Sequence, residues 1–267
     1  GALWRIDMAD PDPAQWEVHL AFDAYPLGSD TATDGQPIAA APVLSVDGTG
    51  NTVILFSTGD QEDFTSTTVK TRAWSLTESL NAGAAVPFRI EPNWYLGGPD
   101  ANNAFEAGEK VTGAMTIFDG VSYFSTFTPP DQNSPQAACQ VGLGRVYGVD
   151  FVEPDTGTIG PQPEARLDDG NNNIVRSIDL GVNVTPFGVA VTAEPACTQE
   201  ASVTDDFVGK HTTLAQSVPP TYKLRFQTGL GGDTEGDSNQ VKVGEIQLPT
   251  PRSTSFIVAA MRSPHRV

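Results

Sequence analysis

Apolar and polar residues alternate with a period of two along most of this chain, the pattern of β-strands with one covered face and one wet face. Trp16 to Phe22 reads Trp-Glu-Val-His-Leu-Ala-Phe, which predicts Trp16, Val18, Leu20 and Phe22 on one face and His19 on the polar one. Two hairpins follow from turn chemistry. Pro37–Val46 and Thr52–Phe56 flank Asp47-Gly48-Thr49-Gly50-Asn51, and Lys110–Phe118 and Ser122–Thr128 flank Asp119-Gly120; Asp-Gly turns between alternating runs are strong hairpin signals. Further strands are expected at Gly1–Met8, Thr71–Leu76, Gly144–Phe151, Asn173–Leu180, Phe187–Ala193, Tyr222–Gln227, Gln240–Gln247 and Thr254–Ala260. Helical signals are short: one turn over 76–84, and a short helix over 204–216 capped near Thr204. Segments 26–36, 97–107, 129–138, 160–173 and 229–239 read as long loops rich in Gly, Pro, Asn and Asp, and loops of that length in a domain usually carry function or move.

A weak internal repeat runs through the strands. Val53-Ile54-Leu55-Phe56-Ser57-Thr58-Gly59 matches Val121-Ser122-Tyr123-Phe124-Ser125-Thr126-Phe127, and Arg72-Ala73-Trp74-Ser75-Leu76 matches Arg145-Val146-Tyr147-Gly148-Val149. Repeated units of this kind predict an all-β fold of propeller-like, four-stranded antiparallel blades, about four to five in a chain of this length. A β-sandwich is the alternative, because it gives a similar strand count.

Composition sharpens this. The 26 Gly and 21 Pro mark many turns. Fifteen basic against 33 acidic residues give a net charge of −18, which opposes nucleic acid and anionic membranes as partners. No apolar run approaches the ~20 residues of a membrane span. The only two cysteines, Cys139 and Cys197, are expected to form one disulfide in a chain of secreted character. In consecutive antiparallel blades the loop-to-strand junctions beside them can lie at the same rim. The chain opens inside a strand, so residues 1–267 are read as one propeller-type domain or a fragment of one, in the C-terminal part of a larger secreted protein.

Four segments together resemble one family. They are Gly1-Ala2-Leu3-Trp4-Arg5-Ile6-Asp7; Pro37 through Val43 with Gly50-Asn51 and Val53 to Gly59; Gly142-Leu143-Gly144-Arg145-Val146-Tyr147-Gly148-Val149-Asp150 with Thr156-Gly157; and Thr185-Pro186-Phe187-Gly188-Val189. In this order they are similar to blade segments of the PilY-type proteins of type IV pili. The resemblance covers much of residues 1–195, and no family motif follows Glu200. It implies a modified β-propeller on an extracellular protein at the pilus tip, working with minor pilins or other pilus proteins in assembly, adhesion and twitching motility, with a host or surface receptor as a further partner class.

Candidate chemistry is sparse. For calcium, the best-placed oxygen donors are Asp233, Glu235, Asp237 and Asn239, which alternate along a Gly-rich loop in the opening spacing of a calcium loop. Ser238 replaces the expected Gly, and Glu245 stands one place late for the closing ligand, so a plain solvated turn competes with the metal reading. Asp168-Asp169-Gly170-Asn171-Asn172-Asn173 is a second oxygen-rich loop without the full register. His19, His211 and His265 share no metal spacing. Ser57, Ser122 and Ser125 sit on predicted strands without a Gly-x-Ser-x-Gly elbow. Trp4, Trp16, Trp74 and Trp94 are expected in the core, with Trp94-Tyr95 the best alternative for an exposed aromatic contact. The expectation is therefore a non-enzymatic extracellular module. The alternatives are a propeller enzyme (a quinoprotein dehydrogenase or glycoside hydrolase) and a structural component of a filament or surface layer.

Overall fold

The computed structural model describes residues 1–24, 36–60, 71–80, 83, 88–97, 105–130, 141–155, 162–171, 173–194, 198–200, 215–217, 221–230 and 241–248. Within them the protein is all-β, with a single 3-10 turn at Pro13–Gln15. β1 (Ala2–Asp7) and β2 (Glu17–Asp23) form a two-stranded first sheet. β3 (Val43–Val46), β4 (Thr52–Thr58), β5 (Arg72–Leu80) and β6 (Phe88–Gly97) form a second sheet, an antiparallel meander in chain order. β7 (Lys110–Phe118), β8 (Val121–Thr128), β9 (Leu143–Pro154) and β10 (Pro163–Ala165) repeat that meander as the third sheet. The short β11 (Leu167–Asp168) and β12 (Ile174–Val175) pair with each other, and β13 (Ser177–Val182) also pairs with β9. β14 (Val184–Glu194), β17 (Thr221–Leu230) and β18 (Val241–Leu248) make the fourth sheet, and β15 (Thr198–Glu200) pairs with β16 (Ala215–Ser217).

Local chemistry sets both expected hairpins. In the β7–β8 turn Asp119 has φ 48° and Gly120 φ 77°, the two positive angles that match the right-handed twist of the flanking strands. In the β3–β4 turn the Asp47 carboxylate gathers the N–H groups of Thr49 and Asn51, each at 2.8 Å. The internal repeat becomes a repeat of strand position: Val53–Gly59 lies on and just past β4 and Val121–Phe127 on β8, while Arg72 and Arg145 stand on the following strands, β5 and β9.

Successive sheets pack face to face. Phe56, Trp74 and Leu76 of the second sheet meet Leu3 and Phe22 of the first. The opposite face of the second sheet, with Val53, Leu55, Ala73, Trp94 and Leu96, meets Val111, Met115, Phe124, Tyr147 and Val149 of the third. The far face of the third sheet, with Tyr123 and Val146, meets Leu224, Phe226 and Leu248 of the fourth. The inner strands are covered on both sides: β4 carries the unbroken apolar run Val53–Phe56, and β8 buries Ser122, Ser125 and Thr126 beside its aromatics. The meanders have the strand order of propeller blades, yet among the described residues the sheets do not close into a ring, and a sandwich-like stack describes them equally well.

Four expectations change. Residues 76–80 are strand, because Leu76–Leu80 pair with Phe88–Pro92 of β6. The expected loop at 160–173 contains β10 and β11. A register shift between Leu3 and Trp4, opposite Ala21, turns Phe22 inward while Val18 and Leu20 stay outward. His19 is half-buried, edge-on to the Phe88 ring at 5.7 Å, and not on a wet face. The expected strand at Thr254–Ala260 lies outside the described residues, as does 204–214 of the expected helix.

Candidate functional site

Glu109, just before β7, is the most unusual ionisable group of the described residues. It is fully buried. Its Oε1 accepts from Thr126 Oγ1 at 2.6 Å and Tyr147 Oη at 3.0 Å. Its Oε2 accepts from the Glu106 N–H at 2.8 Å and Arg145 Nη1 at 3.0 Å. Arg145 also pairs with Glu106 and with Asp179 of β13, and the Glu109 carbonyl accepts from Thr71 Oγ1 of the second sheet at 2.5 Å. Burial pushes the Glu109 carboxyl above its ordinary range, against the pull of Thr126, the Glu106 N–H and the Arg145 charge. Burial also pulls Arg145 down, but Glu106, Asp179 and Glu109 outweigh it and hold the guanidinium charged.

The second sheet carries a neutral version of this node. Thr58, at the repeat position of Thr126, donates to Gln36 Oε1 at 3.0 Å in a buried bond. Arg72, at the position of Arg145, lies over the Trp74 ring at 5.7 Å, where the third sheet has Tyr147. The two meanders thus carry a threonine, an arginine and an aromatic at matching positions, and Arg72 Nη1 donates to the Ala24 carbonyl at 3.3 Å. This gives Arg145 and Tyr147 of the family-like segment a structural role. Gly144 of the same segment lets the fourth sheet approach, since a Cβ there would stand 2.6 Å from the Val184 carbonyl oxygen.

A separate cleft of about 870 Å³ opens where the turns of successive sheets meet. Asp47–Thr49, Asp119–Val121, Asp150–Glu153, Glu164–Arg166, Asp168 and Ile174 line it, giving an acidic wall with one guanidinium over an apolar floor of Val121, Phe151, Val152 and Ile174. Asp150 frames the cleft: Oδ1 accepts from the N–H groups of Val152 and Glu153 at 2.9 and 2.7 Å, and Oδ2 takes Arg166 Nε and Nη2 at 3.1 and 2.7 Å. Desolvation pulls the Asp47 carboxyl upward, yet hydrogen bonds from Thr49 and Asn51 outweigh it and hold it below its ordinary range. Among the described residues no three His, Cys, Asp or Glu side chains converge to hold a metal ion. The acids of the cleft are spread along a wall, which suits an extended cationic ligand better than a point charge.

Asp233, Glu235, Asp237 and Asn239 lie outside the described residues, as do Cys139, Cys197, His211 and His265. In the second oxygen-rich loop Asp169 is occupied by its own turn, accepting from the Asn171 and Asn173 N–H groups and Asn173 Nδ2. Side-chain and backbone bonds from Asn173 and Asn171 lower its pKa. Ser57, Ser122 and Ser125 are buried on strands, and Ser125 is bonded to Thr112. Trp94 is fully buried and Trp74 nearly so, as expected, while Trp4 and Trp16 are exposed, contrary to the expectation that they fill a core. The described neighbours of the two cysteines lie at opposite ends of β14. Val141, beside Cys139, donates to Asn183 at the start of β14, whereas Cys197 follows the far end of that strand at Glu194. No protein-family model, curated protein or solved structure matches the chain.

Proposed function

We propose that this chain is a non-catalytic, extracellular recognition module of PilY type, supporting type IV pilus assembly, adhesion and twitching motility by binding minor pilins or another surface protein. The observation that carries the reading is the acidic rim cleft: loops of successive sheets converge on it while the strands beneath are locked by two-sided packing. Rigid β scaffolds commonly present binding loops in this way. Two of its carboxylates, Asp47 and Asp150, serve turns and an ion pair, which supports binding over acid–base chemistry. Glu109 has the shifted pKa often found in catalytic acids, but it lies away from the cleft with donors on both oxygens. A basic segment of a protein partner fits the charge, and the net charge of −18 steers it inward.

The test is capture of minor pilins by the chain, compared with Glu153→Lys/Asp168→Lys, together with a pilus-assembly assay after deletion. The reading expects capture that weakens at least tenfold in the variant and falls with salt, and impaired assembly. Absent capture together with normal assembly would sink it.

A further inference from the structure

The polypeptide leaves its last described strand beside the rim cleft. β18 ends at Leu248, which is buried, pairs with Tyr222 of β17 and belongs to the apolar cluster that also holds Phe118, Val121 and Leu167. The Tyr222 ring lies 4.6 Å from that of Phe118, one residue before the Asp119–Gly120 turn of the cleft. Val121 is part of the cleft floor, and Leu167 precedes Asp168 of its acidic wall. Residues 249–267, which lie outside the described residues, therefore begin at the cleft end of the third and fourth sheets.

Their sequence is the complement of the cleft. They carry Arg252, Arg262 and Arg266 and no Asp or Glu, whereas the other 248 residues hold twelve basic and 33 acidic residues. Between Arg252 and Arg262 runs the apolar stretch Phe256-Ile257-Val258-Ala259-Ala260-Met261. The cleft sets six carboxylates against the single guanidinium of Arg166, over its apolar floor. Arg166 is itself spent on Asp150 and Glu164, at 2.7 and 2.8 Å. The backbone donors of the ledge are spent too: the Phe151 N–H on the Gly120 carbonyl at 3.2 Å, and those of Val152 and Glu153 on Asp150. Such a wall offers acceptors, which select a cationic donor. From Leu248 to Arg252 the chain spans about 13 Å when extended. We propose that residues 249–267 dock in the cleft of their own chain, with arginines on the carboxylates and the apolar stretch on the floor, as a tethered competitor of a basic partner segment. The inference rests on the cleft being the recognition site and adds its regulation. A tether this short gives an effective concentration on the order of millimolar, which a partner must overcome.

The probe is a labelled synthetic peptide of residues 249–267, titrated by fluorescence anisotropy against the 267-residue chain and against Arg252→Gln/Arg262→Gln/Arg266→Gln. The expected result is binding to the Gln variant about tenfold or more tighter than to the native chain, whose cleft is already filled. Adding Glu153→Lys/Asp168→Lys to the Gln variant should abolish that binding. Adding Glu17→Lys/Glu91→Lys, the same change of charge at exposed residues outside the cleft lining, should alter it by about twofold or less. Equal affinity for the native and Gln chains, or binding that survives the cleft substitutions, overturns the proposal. Sedimentation velocity adds one more outcome: a species of twice the 28.2 kDa mass that vanishes in the Gln variant would seat the segment in a second copy's cleft and overturn docking within the chain. No pilin enters this assay. Its failure therefore removes the tethered competitor alone, and the partner reading stands or falls on the capture experiment.

Discussion

Arg145 donates Nη1 to the fully buried Oε2 of Glu109 at 3.0 Å, and the pair joins β9 to the segment that leads into β7. Removing one partner of such a pair strands the other charge away from water. Arg145→Met should therefore cost about 3–5 kcal/mol. Arg145→Met/Glu109→Gln should cost clearly less than the sum of the two single changes, with a coupling of about 1–3 kcal/mol. Urea melts of the four proteins measure it, and additive costs would show that the pair is not a unit.

The same carboxyl predicts a slope of stability with pH. In the unfolded chain Glu109 loses its proton near 4.5, and in the folded chain its pKa is raised. Between those two values the folded state binds more protons, so stability from this group is complete below pH 4.5 and is lost as pH rises through the folded pKa. Asp47 and Asp169 act oppositely: their lowered pKa values give stability above 3.8 that is lost as pH falls. Denaturation of the native chain and of Glu109→Gln across pH 4 to 8 should show a falling component in the first that is absent from the second. Parallel curves would count against the assignment.

Turn chemistry makes much of the fold legible in the sequence. Asp47–Asn51 and Asp119–Gly120 specify their hairpins locally, and the repeat linking Thr58 with Thr126 and Arg72 with Arg145 marked equivalent strands. Phe22 was misplaced because one bulge opposite Leu3 and Trp4 reverses the alternation, a shift that no residue type announces. The helical turn expected from 76 onward lost to pairing with β6, where tertiary context outweighs local propensity. The Glu109 node is not legible locally, because Thr126, Arg145 and Tyr147 lie 17, 36 and 38 positions away. The repeated Thr and Arg were the available hint that a buried acceptor stood between them. The rim cleft was half legible: its turns were predicted, but their convergence depends on how the sheets stack.

The third and fourth sheets also approach closely at Gly113 of β7 and Gly188 of β14. Both have positive φ, 82° and 67°. A Cβ on Gly113 would stand 2.8 Å from the Gly188 backbone, whereas one on Gly188 meets nothing closer than 3.9 Å. Gly188→Ala should therefore lose only the left-handed penalty of about 1–2 kcal/mol, and Gly113→Ala that penalty plus about 1–3 kcal/mol of overpacking. Thermal melts should rank Gly113→Ala clearly below Gly188→Ala, and equal melting temperatures would mean that the two strands do not touch there.

The cysteines give the sharpest test of strand direction. The sequence alone predicts a bridge between Cys139 and Cys197. Val141 instead bonds to Asn183 at the start of β14, and the Asn183 N–H bonds back to the Gly142 carbonyl at 2.6 Å. Glu194 ends β14 beside Thr221, next to Tyr222, whose ring packs on Phe118 at the opposite end of the third sheet. Ten residue steps of strand separate Val184 from Glu194, about 34 Å at ordinary rise. Cys139 lies two residues from Val141 and Cys197 three from Glu194, a combined reach of about 18 Å when fully extended. A disulfide adds about 5.5 Å between Cα atoms. The total of about 24 Å falls short even if twist and the β14 bulge shorten the strand by a fifth. Alkylation under denaturing, non-reducing conditions followed by intact-mass spectrometry should therefore find two free thiols per chain in the monomer fraction. A monomer that takes up no alkylating agent until it is reduced would show that β14 does not run from the Asn183 end of the stack to the Phe118 end.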